Sequence, residues 1–215
     1  MNAAHLIEKL IAQAADDGRI AGVVVGIVTN NHDPEGLHRV KVRLPWLCAS
    51  DESHWARVVS PMAGKGRGLY ALPEVDDEVL LAFEHGRIDH PFVLGALWNG
   101  KDTPPESNSN GSNDHRSFTS RSGHVLRLND AQGRETVEII DKSGNNRVVI
   151  DTSGRKIRIE ADGDIELTSA TGRIKLSGIG IELNSKADVK VQAQTTVDIQ
   201  ATATASLQGA LVKVN

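Results

Sequence analysis

The sequence predicts an all-β protein: a small barrel, then a repetitive β-region built by three intertwined chains, with a short helix at the N-terminus. Three observations favour this class. Aliphatic pairs return at a short, regular interval through the C-terminal third. Five strand-like runs separated by turn residues precede them. Six of the seven aromatic residues lie between Trp46 and Trp98, and the last is Phe118. The regular repeats that follow therefore pack without aromatic side chains.

The repeat is a pair of aliphatic residues spaced i, i+2 that returns about every eight residues. The residue inside each pair is polar, so each strand has one apolar and one wet face. A period this short is one strand and one turn, used many times. Looser copies precede the series at Val137/Ile139 and Val148/Ile150. The regular pairs are Ile157/Ile159, Ile165/Leu167, Ile174/Leu176, Ile181/Leu183, Val189/Val191, Val197/Ile199, Ala205/Leu207 and Val212/Val214.

One such strand cannot stabilise itself. Burying each aliphatic side chain gives roughly 1.5–3 kcal/mol, whereas ordering the backbone costs roughly 1–2 kcal/mol per residue. A single chain that encircles its own core needs coils of about twenty residues, and eight residues make about one side of a triangular prism. We therefore expect an intertwined trimer, with Ile157, Ile159, Ile165, Leu167, Ile174, Leu176, Ile181, Leu183, Val189, Val191, Val197, Ile199 and Leu207 in its core.

The polar residues inside the pairs alternate in charge. From Arg158 to Asp198 the signs run plus, minus, plus, minus, plus, minus. If repeat k of one chain stacks on repeat k+1 of another, this order places opposite charges next to each other. Each exposed ion pair of this kind contributes about 0.2–1 kcal/mol to stability. The interpretation is that the charges fix the register, while chance alternation on a solvated face stays open.

Composition excludes several classes. The net charge of −4 gives no basic footprint for nucleic acid. The single cysteine, Cys48, excludes an intrachain disulfide framework. Neither a signal peptide nor a transmembrane segment is apparent, so we expect synthesis in the cytoplasm without a cleaved signal.

The chain divides into four parts. Residues 1–19 contain a short amphipathic helix, over 1–17, that docks on its own domain or on a partner. Residues 20–98 form the barrel, with runs at Ile20–Thr29, Leu37–Leu44, His54–Ser60, Glu78–Glu84 and Pro91–Leu97; an OB-fold suits them, and an SH3-like barrel stays open. Residues 99–117, rich in Asn, Ser, Gly and Pro, are a linker, and residues 118–215 are the repetitive region.

Three groups of residues suggest other chemistry, and in each the simpler structural interpretation is favoured. The glycine-rich run 64–68 lacks the context of a phosphate loop. The carboxylates Glu74, Asp76, Asp77 and Glu78 suggest a glycosidase pair, but their position in a turn favours a solvated loop. His85, Asp89 and His90 are too few for a convincing metal site. We expect no catalytic residues, no metal and no cofactor.

The barrel and the start of the repeats resemble the spike proteins of contractile tails, the family of phage baseplate assembly protein V and the VgrG proteins of type VI secretion. The similarity covers nearly everything from about residue 20 onward. It rests on an ordered series of motifs: Gly26-Ile27-Val28, Arg39-Val40-Lys41-Val42-Arg43-Leu44-Pro45-Trp46, Gly64-Lys65-Gly66-Arg67-Gly68, Leu72-Pro73-Glu74-Val75-Asp76-Asp77-Glu78-Val79 and Ser122-Gly123-His124-Val125-Leu126.

The resemblance implies a homotrimeric spike, an OB-fold followed by a triple-stranded β-helix, at the tip of a contractile injection machine. It would plug the hub and be driven into the target envelope when the sheath contracts. Some relatives carry a hub, a lysozyme domain or a His-x-His metal tip, and none of these fits this sequence. A separate hub protein is therefore implied, in a phage tail or tail-like particle, with effectors as possible cargo.

The last repeat would leave an apolar cross-section, which relatives cap with a pointed PAAR protein. We expect the same cap at Leu211, Val212, Lys213, Val214 and Asn215. Two other functions stay open: a β-helical tail enzyme acting on surface polysaccharide, and an OB-fold binding module. The missing aromatics in the repeats disfavour the first, and the acidic net charge disfavours the second.

Overall fold

The structure is a computed structural model that describes residues 19–47 and 51–213. The helix predicted over residues 1–17 lies outside these ranges. The chain separates into two compact units, one ending at Glu160 and the other beginning at Ala161. Within the described residues, no helix has the length and apolarity needed to cross a membrane.

The described part of the first unit is almost entirely β-structure. It contains twelve strands and one 3₁₀ turn, Glu84–Gly86. The strands are β1 Val23–Asn30, β2 Arg39–Arg43, β3 Ala56–Val58, β4 Ala63–Gly64, β5 Arg67–Gly68, β6 Glu78–Phe83, β7 Pro91–Ala96, β8 His115–Thr119, β9 Val125–Asn129, β10 Thr136–Ile140, β11 Arg147–Asp151 and β12 Lys156–Glu160.

Five of these strands close a barrel in the order β1-β2-β3-β7-β6. β1 closes it by pairing antiparallel with both β2 and β6, and only β3 and β7 run parallel to each other. Each of the five predicted runs corresponds to one barrel strand. Four strands lie within their runs, and β1 ends at Asn30, one residue beyond the predicted run. The all-β class and the OB-like barrel are therefore confirmed.

The barrel core follows from alternation along the strands. On β6, Val79 and Leu81 point inward and are fully buried, whereas Leu80 between them is only partly buried. Val40 and Val42 on β2 are fully buried in the same way. The complete buried cluster is Val28, Val40, Val42, Leu44, Ala56, Val79, Leu81, Phe83 and Val93.

The loop from β1 to β2 is held by one carboxylate. Asp33 accepts backbone hydrogen bonds from Glu35 and Leu37, at 3.1 and 3.0 Å, and pairs with the guanidinium of Arg39 at 2.7 Å. Its side chain is 4% exposed. The Arg39 hydrogen bond, helped by the two backbone donors, holds the pKa of Asp33 far below its ordinary range. The turn residues predicted between the first two strands thus make a rigid loop.

The remaining strands β8 to β12 form a separate antiparallel sheet in the order β12-β11-β10-β9-β8. Neighbours in sequence are neighbours in the sheet, so it is a meander of four hairpins. The turn after β10 is ordered by Asp141, which accepts hydrogen bonds from the Ser143 hydroxyl at 2.6 Å and the Asn146 amide at 2.9 Å. These bonds lower the pKa of Asp141 to about 2.

The segment predicted as a linker contacts the meander. Glu106 accepts a hydrogen bond from Arg127 on β9 at 3.0 Å, and its other oxygen lies 2.6 Å from the His115 ring. The Asp130 backbone N–H donates to the Asp114 carbonyl at 2.8 Å. β8 begins at His115, inside the predicted linker, and the predicted boundary at residue 117 stays a prediction.

Candidate subunit interface

One face of the meander is apolar across all its strands. The strand pairings align Phe118, Leu126, Ile139, Val148 and Ile159 in a single row. A second row, two residues along each strand, contains Leu128, Val137, Ile150 and Ile157 beside Arg116. Because residues i and i+2 share a face, these two rows form one continuous surface, called here the apolar face.

The apolar face is open to solvent in the single chain. Phe118 is 58% exposed, Ile139 55% and Ile157 68%. Monomeric soluble proteins rarely expose contiguous apolar surface larger than a few hundred Å². The arrangement is therefore suited to pack against other apolar surface.

The opposite face of the meander is mostly polar and satisfied within the chain. Arg127 bridges Glu106, at 3.0 Å, and Glu138, at 3.3 Å, and Thr136 donates to Glu138 at 2.9 Å. Hydrogen bonding to Ser117, then to Arg127 and His115, holds the pKa of Glu106 below its ordinary value despite partial burial. An antiparallel sheet with one polar and one apolar face buries only the apolar one.

The edge strand β12 carries the first two predicted core residues. Ile157 and Ile159 pair with Ile150 and Val148 of β11 and lie on the apolar face. Arg147 pairs with Glu160 across the same two strands, and this hydrogen bond lowers the pKa of Glu160. Nothing in the described part of the chain pairs with the other side of β12, so its outer backbone groups form an open sheet edge.

The later pairs are exposed, and no strand is assigned between residues 161 and 213. Their assignment to a trimer core therefore stays a prediction. Val214 and Asn215 of the predicted tip lie outside the described residues, whereas Leu211, Val212 and Lys213 are exposed. The exposed pair residues are Ile165, Leu167, Ile174, Leu176, Ile181, Leu183, Val189, Val191, Val197, Ile199, Leu207 and Val212.

Seven residues of the apolar face were not among the predicted core residues. Val137, Ile139, Val148 and Ile150 were recognised only as looser copies of the repeat, whereas Phe118, Leu126 and Leu128 were not recognised as part of the series. The last two are an i, i+2 pair around the polar Arg127, which is the same pattern as the repeats. Their distance to the next pair, Val137, is eleven residues instead of eight. The same eleven-residue step separates Val137 from Val148, so it belongs to the longer hairpins of the meander.

The three alternative chemistries find little support in the geometry. Gly64 and Arg67 belong to the short β4–β5 hairpin. The Glu74 carboxylate is paired with Arg121 at 3.1 Å, and Asp89 is paired with Arg87 at 2.8 Å. Across the described residues, no group of three or more His, Cys, Asp or Glu side chains is placed to hold a metal ion.

Comparison with known protein families matches residues 24–98 to the type VI secretion system/phage-baseplate injector OB domain. This is the region that forms the barrel. The resemblance to contractile-tail spike proteins is therefore confirmed by a family model as well as by fold.

Several curated relatives are type VI secretion system spike proteins. VgrG3 of Vibrio cholerae serotype O1 is 31% identical over 140 residues, which are 62% of this chain and 13% of that protein. VgrG1a of Pseudomonas aeruginosa is 29% identical over 148 residues, 63% of this chain and 23% of the relative. A third, the actin cross-linking toxin VgrG1 of Vibrio cholerae, is 29% identical over 62% of this chain and 12% of its own length. The chain thus spans less than a quarter of the length of these relatives.

Proposed function

Since residues 24–98 belong to the family of type VI secretion and phage-baseplate injector OB domains, we propose that this chain is the central spike of a contractile injection machine. Three copies form the spike. Their barrels seat under a separate hub protein and close the end of the tube, and their repeats form a shaft that points outward. Sheath contraction drives this shaft through the envelope of the target cell.

The observation that carries the proposal is the apolar face and its continuation into the repeats. The face runs across five strands and ends at the open edge of β12. From there, aliphatic pairs follow at steps of about eight residues as far as Val212. An apolar face that the described residues of its own chain leave exposed, followed in sequence by a series of aliphatic pairs, is explained by identical neighbours whose matching faces close around one axis.

Three copies are favoured over other numbers by the length of the repeat. At about 3.3 Å per strand residue, the three to five extended residues of one repeat span one side of a narrow prism. Only aliphatic residues line the predicted core, and a prism with three such sides has little room for larger ones. The alternating charges from Arg158 to Asp198 support the same stacking, because each would lie beside an opposite charge of the next chain.

The proposed role is mechanical and not catalytic. Puncturing requires a stiff rod, and a closed β-ladder supplies stiffness because every strand is hydrogen-bonded on both sides. The catalytic function named for one relative, actin cross-linking, belongs to a protein of which the shared region is 12%. The particle could be a phage tail, a tail-like particle or a secretion apparatus. Effector proteins would be carried bound to the spike.

The decisive measurement is the mass of the purified full chain by light scattering. We expect three times the 23.1 kDa of one chain, and a band that resists SDS until the sample is boiled. Electron micrographs should show a needle attached to a wider head. A monomer at micromolar concentration would refute the spike.

The tip is proposed to bind a small PAAR-type cap through the predicted repeat that includes Leu211, Val212 and Lys213. Co-expression with a PAAR protein encoded nearby should give a co-purifying complex, and deletion of residues 211–215 should abolish it. The matched control is Lys186→Ala, a change in the shaft away from the tip. Undiminished capture by the deletion variant would contradict a cap at this position.

A further inference from the structure

A groove of about 730 Å³ lies on the barrel beside the β4–β5 hairpin. Leu37 and His38, at the end of the β1–β2 loop, form one part of its lining, and Met62, Leu69 and Tyr70 form another. Tyr70 is 78% exposed and Leu37 59%. The groove therefore combines a concave shape with exposed apolar side chains, the usual setting of a binding site.

The shape of the groove is fixed by contacts within the barrel. The Ser60 hydroxyl lies 2.9 Å from the carbonyl oxygens of both Met62 and Leu69, and it holds the base of the hairpin. The rings of His38 and Tyr70 pack with centroids 4.7 Å apart. A fixed groove binds with less loss of conformational entropy than a mobile one.

The charge of the groove is one-sided. Arg57 and Arg67 line it, and none of its described lining residues is acidic, although the chain as a whole has a net charge of −4. The guanidinium of Arg57 is held over the Phe92 ring at 5.5 Å. Gly64 makes room for Arg67, because a Cβ at Gly64 would lie 2.8 Å from its Cζ. Both cations are thus positioned, and the groove fits an acidic segment with an apolar side chain.

The same barrel carries a segment of that chemistry. The loop before β6 reads Glu74-Val75-Asp76-Asp77-Glu78, with four carboxylates around one valine. Within the chain, Glu74 pairs with Arg121, Asp77 accepts the Glu74 backbone N–H, and Glu78 accepts from the Asn99 amide. Asp76 is therefore the main carboxylate that the loop offers to an outside cation. Val75 is 47% exposed. The Asp76 backbone N–H donates to the Val28 carbonyl at 2.8 Å, so the loop is anchored to β1 and projects as a fixed unit. None of its residues lines the groove of its own barrel.

We propose that the acidic loop 74–78 of one copy docks in the Arg57/Arg67 groove of the next copy. A contact between two different patches of identical chains is head-to-tail, and three such contacts close into a ring. The inference rests on the proposed trimer, since the shared shaft holds the barrels together and raises their effective concentration. The ring of barrels would be a second interface, built from charge and separate from the apolar face.

Cysteine cross-linking tests this contact directly. Tyr70→Cys and Val75→Cys are combined in a Cys48→Ser chain, and the purified protein is treated with a short bismaleimide. We expect covalent dimers and trimers on denaturing gels. Each single variant is the matched control, because a head-to-tail contact joins position 70 only to position 75. A double variant that has trimeric mass by light scattering but forms no cross-linked chains would overturn the inference and leave the spike proposal standing.

Charge substitutions provide the second arm. In the double-cysteine chain, Arg67→Glu should lower the yield of cross-linked trimer about two- to fivefold, the range expected for one exposed ion pair. Lys65→Glu makes the same change of charge in the same hairpin but outside the lining of the groove, and should leave the yield unchanged. Asp76→Asn should weaken cross-linking from the loop side. Equal yields for Arg67→Glu and Lys65→Glu would show that charge complementarity does not hold the barrels together.

Discussion

Gly26 occupies a position in β1 where the barrel has no room for a side chain. A Cβ there would lie 2.6 Å from the Leu81 Cδ1 atom and 3.2 Å from the Arg43 carbonyl oxygen. Leu81 is fully buried in the core, so it has little freedom to move aside. The glycine thus fixes the distance between β1 and the core residues that face it.

Gly26→Ala is expected to destabilise the barrel by about 1–3 kcal/mol, the usual cost of overpacking a core. Urea unfolding followed by tryptophan fluorescence measures it, because the three tryptophans all lie between residues 46 and 98. Gly95→Ala in β7 is the matched control, since a Cβ at that position would have no neighbouring atom within 4 Å. Equal midpoints for the two variants would contradict the packing argument.

Glu106 is the residue through which the connecting segment holds the meander. Its pKa is lower in the folded chain than its ordinary value of 4.5. The folded state therefore binds fewer protons than the unfolded state below that pH. The stabilisation is fully present above pH 4.5 and is lost as the pH falls through the lowered pKa.

Glu106→Gln should remove this pH-dependent contribution. At neutral pH the variant is expected to be less stable than the native chain, and the difference should shrink as the pH falls below 4.5. Thermal melts across the acidic range measure it. Glu84→Gln, a change of the same type in the barrel's 3₁₀ turn, is the control. A difference that is constant with pH would mean that Glu106 acts through shape alone.

Sequence reasoning had no means of finding this contact. Glu106 lies in a run of Pro, Ser and Asn that has every mark of a linker. Its partner Arg127 is 21 residues away, and a single carboxylate in a polar segment carries no periodic signal. Long-range pairs of this kind depend on the tertiary path of the chain, which local patterns do not contain.

At the scale of strands, prediction succeeded where apolar alternation met clear turn residues. The run predicted over Glu78–Glu84 became Glu78–Phe83, and Pro91–Leu97 became Pro91–Ala96. The strands β4 and β5 were not predicted, because two residues are too few to show an alternating pattern. The β9 pair Leu126/Leu128 has the same pattern as the looser copies and lies eleven residues before Val137, the step that also separates Val137 from Val148. It could therefore have been recognised from the sequence.

The alternating charges in the repeats make a prediction at the element scale. Glu166→Lys combined with Glu182→Lys would place like charges beside Arg158, Lys175 and Lys190 in the stacked shaft. We expect a lower melting temperature of the trimer, most clearly at low salt, because salt screens such contacts. Melting followed by SDS resistance at two salt concentrations measures it.

Asp188→Lys is the control for that double variant. Asp188 is also acidic and lies in the repeat region, but it falls outside the position between the paired aliphatic residues. It should change the melting temperature less than either paired-position reversal. Identical behaviour of all these variants would mean that the alternation plays no part in the register.

At the scale of the whole molecule, the two units differ in what they need in order to fold. The barrel has its own buried core of Val, Leu, Ala and Phe side chains, so it is stable within one chain. The residues from 161 to 213 are exposed throughout. In the proposed trimer their burial comes from the other copies. The sequence indicates this difference between the two units by its change from a mixed to a repetitive pattern.

In the proposed trimer, the open apolar face also determines the order of events during folding. Hairpins form from neighbouring segments and need no partner, so each chain reaches a half-finished state before it meets another. Completion then depends on collisions between chains. After dilution from denaturant, tryptophan fluorescence of the barrel should recover at a rate independent of protein concentration, whereas SDS resistance should appear faster as the concentration rises.

If SDS resistance appeared at the same rate at every concentration, encounter would not be the limiting step. Separation of the chains in the finished rod requires many strands to unwind together, so the rod dissociates more slowly than it assembles. Its lifetime is then set by the rate of unfolding. In the proposed trimer, a single chain keeps its apolar face exposed until it meets two other copies. Synthesis of several chains close together on the same messenger RNA would shorten that time.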